Sequence, residues 1–70
     1  MSMKLYRYYT LYRPPMPGAI PKCTHIIRDY GQRKFVPDIE REAWGYVDCE
    51  RELTPDEIAE YELMASKGNS

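Results

Sequence analysis

Residues 41–53, Arg41-Glu42-Ala43-Trp44-Gly45-Tyr46-Val47-Asp48-Cys49-Glu50-Arg51-Glu52-Leu53, hold the only tryptophan of the chain and read as its central strand. Successive side chains of a strand point to opposite faces. Ala43, Gly45, Val47 and Cys49 therefore line one face, and Trp44, Tyr46, Asp48 and Glu50 the other. Trp44 is expected to be the keystone of the core. Gly45 sharpens the reading, because glycine weakens a strand unless something approaches closely or the strand bulges there. A neighbouring aromatic or the proline-rich loop is expected over Gly45.

This strand feeds the best helix signal in the chain, Thr54-Pro55-Asp56-Glu57. It is a capping box with proline at the first helical position, and Asp56 and Glu57 sit near the positive end of the helix dipole. Leu53 serves as the staple residue before the cap. Ile58, Tyr61 and Met64 or Ala65 supply an apolar stripe. A helix of about ten residues is unstable alone and must dock on the sheet. The tail Ser66–Ser70 is expected to fray.

Upstream of Arg41, the stretch 37–43 fits either a single helical turn opened by Pro37 or a loop. Lys34-Phe35-Val36 reads as a short return strand, Tyr30-Gly31-Gln32-Arg33 as a turn, and Cys23-Thr24-His25-Ile26-Ile27-Arg28 as a strand. Before these lies Arg13-Pro14-Pro15-Met16-Pro17-Gly18-Ala19-Ile20-Pro21. Its prolines remove ladder donors and impose a semi-rigid connection. It contains Pro14-x-x-Pro17, the minimal spacing for docking into aromatic grooves. The plainer reading is an ordered loop wrapping over Trp44 or the tyrosines. Lys4 to Tyr12 alternates as a strand rich in tyrosine, and neither face is apolar enough to say which is inside.

The fold class that follows is α+β: a small antiparallel sheet of three or four strands with one C-terminal helix packed on it. One domain spans residues 1–66, with 67–70 as the frayed tail. The expected core is Leu5 or Tyr6, Leu11, Ile26, Val36, Trp44, Val47, Leu53, Ile58 and Tyr61. At 70 residues, such a chain buries only about 60 % of its unfolded surface, so its stability is marginal.

Charge is divided by sign. Residues 1–35 carry seven Lys/Arg against Asp29 alone, a local charge of +6; residues 36–70 carry three against ten acids, a local charge of −7. Either the halves neutralise each other side by side, or one pole is a docking face for a charged partner. Cys23, His25 and Cys49 offer at most three zinc ligands where a structural site takes four, so no metal is expected. Glycine-rich phosphate loops are lacking, and nothing marks two carboxylates as desolvated in a cleft. The expectation is a non-enzyme without cofactors. No apolar run reaches the roughly 20 residues that span a bilayer, and the start lacks a signal-peptide pattern. A cytoplasmic protein with reduced thiols and no membrane contact is expected.

Two segments, Tyr8-Tyr9-Thr10-Leu11-Tyr12-Arg13-Pro14-Pro15-Met16-Pro17-Gly18-Ala19-Ile20-Pro21 and Arg41-Glu42-Ala43-Trp44-Gly45-Tyr46-Val47, continue to Leu53-Thr54 and Tyr61-Glu62-Leu63. Together they are similar to a group of small uncharacterised proteins carried on conjugative elements and phages of Gram-positive gut bacteria. The resemblance covers most of the chain except the tail. It implies a cytoplasmic accessory protein of a mobile element, of a kind that often binds host or element components. It carries over no site residue.

The leading expectation is a non-enzymatic protein-binding accessory factor, monomeric or weakly dimeric, with Arg7, Tyr8, Tyr12, Arg13, Pro14, Pro15 and Pro17 as candidate binding residues. The alternative is a single-stranded nucleic-acid binder whose tyrosines stack bases while Lys4, Arg7 and Arg13 reach phosphates. That alternative requires these three cations to be exposed together, and fails if they pair with Asp48, Glu50 or Glu52 across the sheet.

Overall fold

The computed structural model describes residues 4–69. In chain order it forms β1 (Tyr6–Thr10), β2 (Thr24–Val36), β3 (Arg41–Cys49), α1 (Pro55–Glu60) and β4 (Leu63–Ala65), followed by a 3₁₀ turn at Lys67–Asn69. The strands make one antiparallel sheet in the order β2-β3-β1-β4. As expected, β3 is an inner strand, with Val47 opposite Tyr8 on β1 and Ile27 on β2.

The architecture is mostly β, which corrects the weight given to the helix. The capping box forms: the Glu57 amide donates to Thr54 Oγ1 at 3.2 Å and the Thr54 amide to Glu57 Oε1 at 3.0 Å. Yet α1 is only 6 residues long and none of them is fully buried. Ile58 and Tyr61 rest against the core, but Met64 and Ala65 do not extend the helical stripe. Glu62 takes a positive φ of 55° and turns the chain back. Leu63, Met64 and Ala65 then pair with Thr10, Tyr9 and Tyr8. So short a helix has little stability of its own, and ladder bonds plus burial of Leu63 favour a fourth strand.

β2 corrects a second expectation. The turn foreseen at Tyr30–Arg33 does not reverse the chain. Gly31 has a φ of 77°, and its amide donates to Asp29 Oδ1 at 2.8 Å. This local turn takes up the extra residues where the register jumps between Asp29 and Lys34, so one strand of 13 residues results. The reversal comes at Pro37–Glu40, where the amides of Ile39 and Glu40 donate to the carbonyls of Val36 and Pro37 at 3.2 and 3.3 Å. The stretch left open between helix and loop is thus a tight turn leading directly into β3.

Two apolar clusters lie on opposite faces of β1, since they contain the adjacent residues Tyr8 and Tyr9. The first comprises Tyr8, Val47, Cys49, Leu53 and Leu63, flanked by Tyr6, Ile20, Cys23, Ile58 and Tyr61. The second comprises Tyr9, Val36, Ile39 and Ala43, flanked by Leu11, Tyr30 and Tyr46. Ala43 and Val47 share strand parity but belong to different clusters. The β2–β3 ribbon therefore changes face near Gly45, beside the register jump in β2. That change brings the Pro37–Glu40 turn onto Tyr9.

Trp44 is not the keystone. It is half-buried and belongs to neither cluster. Ile26, also expected inside, is 42 % exposed, on an edge strand that has no strand beyond it among the described residues. Of the expected core, Val36, Val47 and Leu53 are buried. The loop reading of residues 13–21 holds: Pro15 and Pro21 are buried, and the Ala19 amide closes a turn on Met16 O at 2.9 Å, with Gly18 at a φ of 89°. Pro15 is the residue that lies over Gly45.

Candidate interaction surface

Arg7 organises the polar side of the sheet. Its Nε and Nη2 donate to Asp48 Oδ1 and Oδ2 at 2.8 and 3.1 Å, a two-pronged pair across β1 and β3. Its guanidinium lies 3.8 Å from the centre of the Tyr46 ring, an attractive cation–π geometry. The Asp48 carboxylate, itself nearly buried, holds the Arg7 pKa above its ordinary value. The Arg7 backbone is engaged as well. Its carbonyl accepts from the Ser66 amide at 2.9 Å and from Asn69 Nδ2 at 2.6 Å, and its amide donates to Asn69 Oδ1 at 2.7 Å. A cleft of about 350 Å³ opens beside this pair, lined by Leu5, Arg7, Asp48, Ser66, Gly68 and Asn69. Its one cation is already neutralised by Asp48, so the cleft offers little to an anion.

A second polar node ties the β2–β3 turn to the end of the chain. Asp38 accepts from the Tyr9 hydroxyl at 3.1 Å, the Ser66 hydroxyl at 2.5 Å and the Lys67 amide at 3.3 Å. Ser66 above all, then Tyr9, holds the Asp38 carboxyl below its usual pKa. The segment expected to fray is therefore fastened at Ser66, Lys67 and Asn69; Ser70 lies outside the described residues.

The candidate binding residues of the sequence reading do not form one surface. Tyr8 is buried and its hydroxyl accepts from the Leu53 amide at 2.8 Å; burial raises its pKa. Pro15 is buried, Pro14 half-buried and Pro17 exposed. Arg13 pairs with Glu62. Tyr12 is exposed, with the Arg41 guanidinium 5.9 Å from its ring centre. Lys4 lies over Tyr6 at 5.1 Å. Of the three cations the nucleic-acid alternative needed, Arg7 and Arg13 are thus paired with carboxylates, Arg7 with one of those named against it.

Cys49 is fully buried in the first cluster. Burial, and after it the neighbouring Cys23 thiol, push its pKa up to about 12. It is a packing residue with an inert thiol. Among the described residues no group of three or more His, Cys, Asp or Glu is placed to hold a metal ion, and no helix is long and apolar enough to cross a membrane.

What the sequence did not mark is the outer edge of β2. Among the described residues no strand pairs with it on that side. Ile26 and Ile27 face opposite sides of the sheet, and both are substantially exposed, Ile27 at 46 % and Phe35 further along at 63 %. Arg28 and Arg33 on this strand, and Lys22 just before it, have no carboxylate within ion-pair distance among the described residues. Lys34 lies 5.6 Å from the Tyr30 ring centre. The edge is long, apolar on both faces and basic. Native sheets usually cover or shorten such edges.

The model of one protein family, described as defence against restriction A C-terminal, matches residues 3–68. The chain belongs to this family. The description agrees with the mobile-element setting implied by the resemblance noted from the sequence. Comparisons with curated proteins and with solved structures find no match.

Proposed function

We propose that this chain is a non-enzymatic accessory factor of a mobile element that contributes to defence against restriction by binding a partner protein along the open edge of β2. The family description supports the setting. The observation that carries the binding mode is the edge itself: a 13-residue strand, unpaired on its outer side among the described residues, with Ile26, Ile27 and Phe35 exposed. Basic residues and a register shift guard this edge in the free chain, and a partner strand would complete its hydrogen bonds.

The test is protection of element DNA in a restricting host. An Ile27→Asp, Phe35→Asp chain changes only exposed positions and keeps its melting transition. It is expected to lose both protection and the partner captured by the unmodified chain. Full protection by the folded double variant would remove β2 from the function.

A second reading, binding of single-stranded nucleic acid, draws on exposed Tyr12 and Phe35 near Arg41, Arg33 and Lys34. It requires affinity that falls steeply with salt, and it is disfavoured by the pairing of Arg7 and Arg13.

A further inference from the structure

The β2 edge carries a charge as well as an opening. Its ladder with β3 is unbroken from Ile26 to Asp29 and then jumps in register, so the stretch able to accept another strand ends near Asp29. Arg28 lies within it. Lys22 precedes it; Arg33 follows in the looped-out residues, and Lys34 follows where the ladder resumes opposite Ala43. The only acid on the strand, Asp29, is engaged by the Gly31 amide.

We propose, building on the reading above, that the partner element is an acidic extended segment that adds as a strand to the β2 edge over Ile26–Asp29, the stretch between the register shifts at Thr24–Ile26 and at Asp29–Lys34. Two requirements meet there. Backbone pairing demands an extended occupant, because the unsatisfied groups of a sheet edge are spaced for one. Charge selects an acidic one, because opposite charges across neighbouring strands attract and like charges repel. Ile27 receives an apolar cross-strand neighbour on one face of the sheet and Arg28 an acidic one on the other, so the occupant alternates apolar and acidic residues. A second copy of the same edge is disfavoured, since it brings basic residues against basic residues. Nucleic acid satisfies the charge but leaves the strand's amides and carbonyls unpaired.

The test uses the whole isotopically labelled chain and four probes: a short peptide alternating valine and glutamate, its valine–lysine counterpart, the glutamate peptide N-methylated at alternate residues, and oligothymidylate. The glutamate peptide is expected to shift the amide resonances of Ile26–Asp29. The lysine peptide is expected to bind about tenfold more weakly, as like charges at a contact demand, and the N-methylated peptide not at all. Arg28→Glu with Arg33→Glu is expected to invert the preference between the two charged peptides.

Equal binding of both peptides, survival of binding after N-methylation, absence of binding, or shifts centred elsewhere each overturn the inference. So does tighter binding of oligothymidylate, or a concentration-dependent dimer through β2. If the peptides fail while a captured partner still depends on Ile27 and Phe35, the interaction reading stands and only the acidic-strand inference falls. If no partner depends on them, the functional reading itself falls.

Discussion

Pro15 packs against Gly45 so closely that a Cβ on the glycine would sit 3.1 Å from two carbons of the proline ring and 2.1 Å from the Arg28 carbonyl oxygen. The first contact clamps the proline loop to β3. The second is with backbone and cannot be relieved by a side-chain rotation.

Gly45→Ala is therefore expected to destabilise the fold by about 1–3 kcal/mol, the usual range for overpacking. That is a large share of the few kcal/mol available to a domain of this size. A thermal or denaturant melt gives the value. An unshifted midpoint would show that Pro15 does not hold the loop where it is seen.

Arg7→Leu strands the Asp48 carboxylate, which is only 5 % exposed. Because the Arg7 side chain is 42 % exposed, water reaching the gap offsets part of the loss, so about 1–3 kcal/mol is expected. Arg7→Leu combined with Asp48→Leu is expected to recover stability relative to Arg7→Leu alone, since an apolar pair leaves no buried charge unpaired. A double-mutant cycle measures the coupling, and additive losses would contradict it.

Thr10 is 2 % exposed, and its Oγ1 has no hydrogen-bond partner among the described residues. Replacing such a hydroxyl with a methyl group removes an unsatisfied polar atom at constant shape. Thr10→Val is expected to be neutral or stabilising by up to about 1 kcal/mol, read from the same melts. A clear loss would show that the hydroxyl has a partner after all.

Because Trp44 belongs to neither cluster, Trp44→Ala is expected to leave a cooperative fold. The cost should fall below the roughly 3–5 kcal/mol typical of a fully buried aromatic. Tyr9→Ala, which removes a buried ring and the hydrogen bond to Asp38, should cost more. The reverse order would reinstate the tryptophan as the core residue.

Low pH should loosen the chain's second half. Arg51 first, then the Thr54 amide, lower the Glu57 pKa from 4.5 to about 2. A carboxyl depressed on folding contributes its stability above the unfolded value and loses it as pH falls toward the folded one. Stability is thus expected to decline between about pH 4.5 and 2, with Asp38 acting in the same direction. Glu57→Gln should flatten part of that slope in melts across the range; an unchanged slope would mean that the cap does not sense pH.

Some of this was readable from residue order and some was not. Gly45 announced a close neighbour because a missing side chain next to a large one implies an intruder, and the proline loop was the nearest rigid candidate. The capping box was readable because its parts lie within four residues. Trp44 misled, since bulk says that a residue gains from burial but not that a layer exists to bury it. β4 was hidden because Leu63-Met64-Ala65 fits a helical stripe equally well, and only pairing with distant β1 decides. The Arg7–Asp48 pair needed a register that alternation alone does not fix. The open edge of β2 needed the strand order, which is a property of the assembled sheet.

β1 sits between β3 and β4, and Asn69 grips the backbone of Arg7. During synthesis, then, the first strand waits for nearly the last residues described before both its sides are closed. Contacts so distant along the chain slow folding. A ribosome still holding residues 63–69 in its exit tunnel would carry a sheet whose open edge is β1 itself, and a pause at that point is an interval in which the chain is vulnerable to wrong pairing.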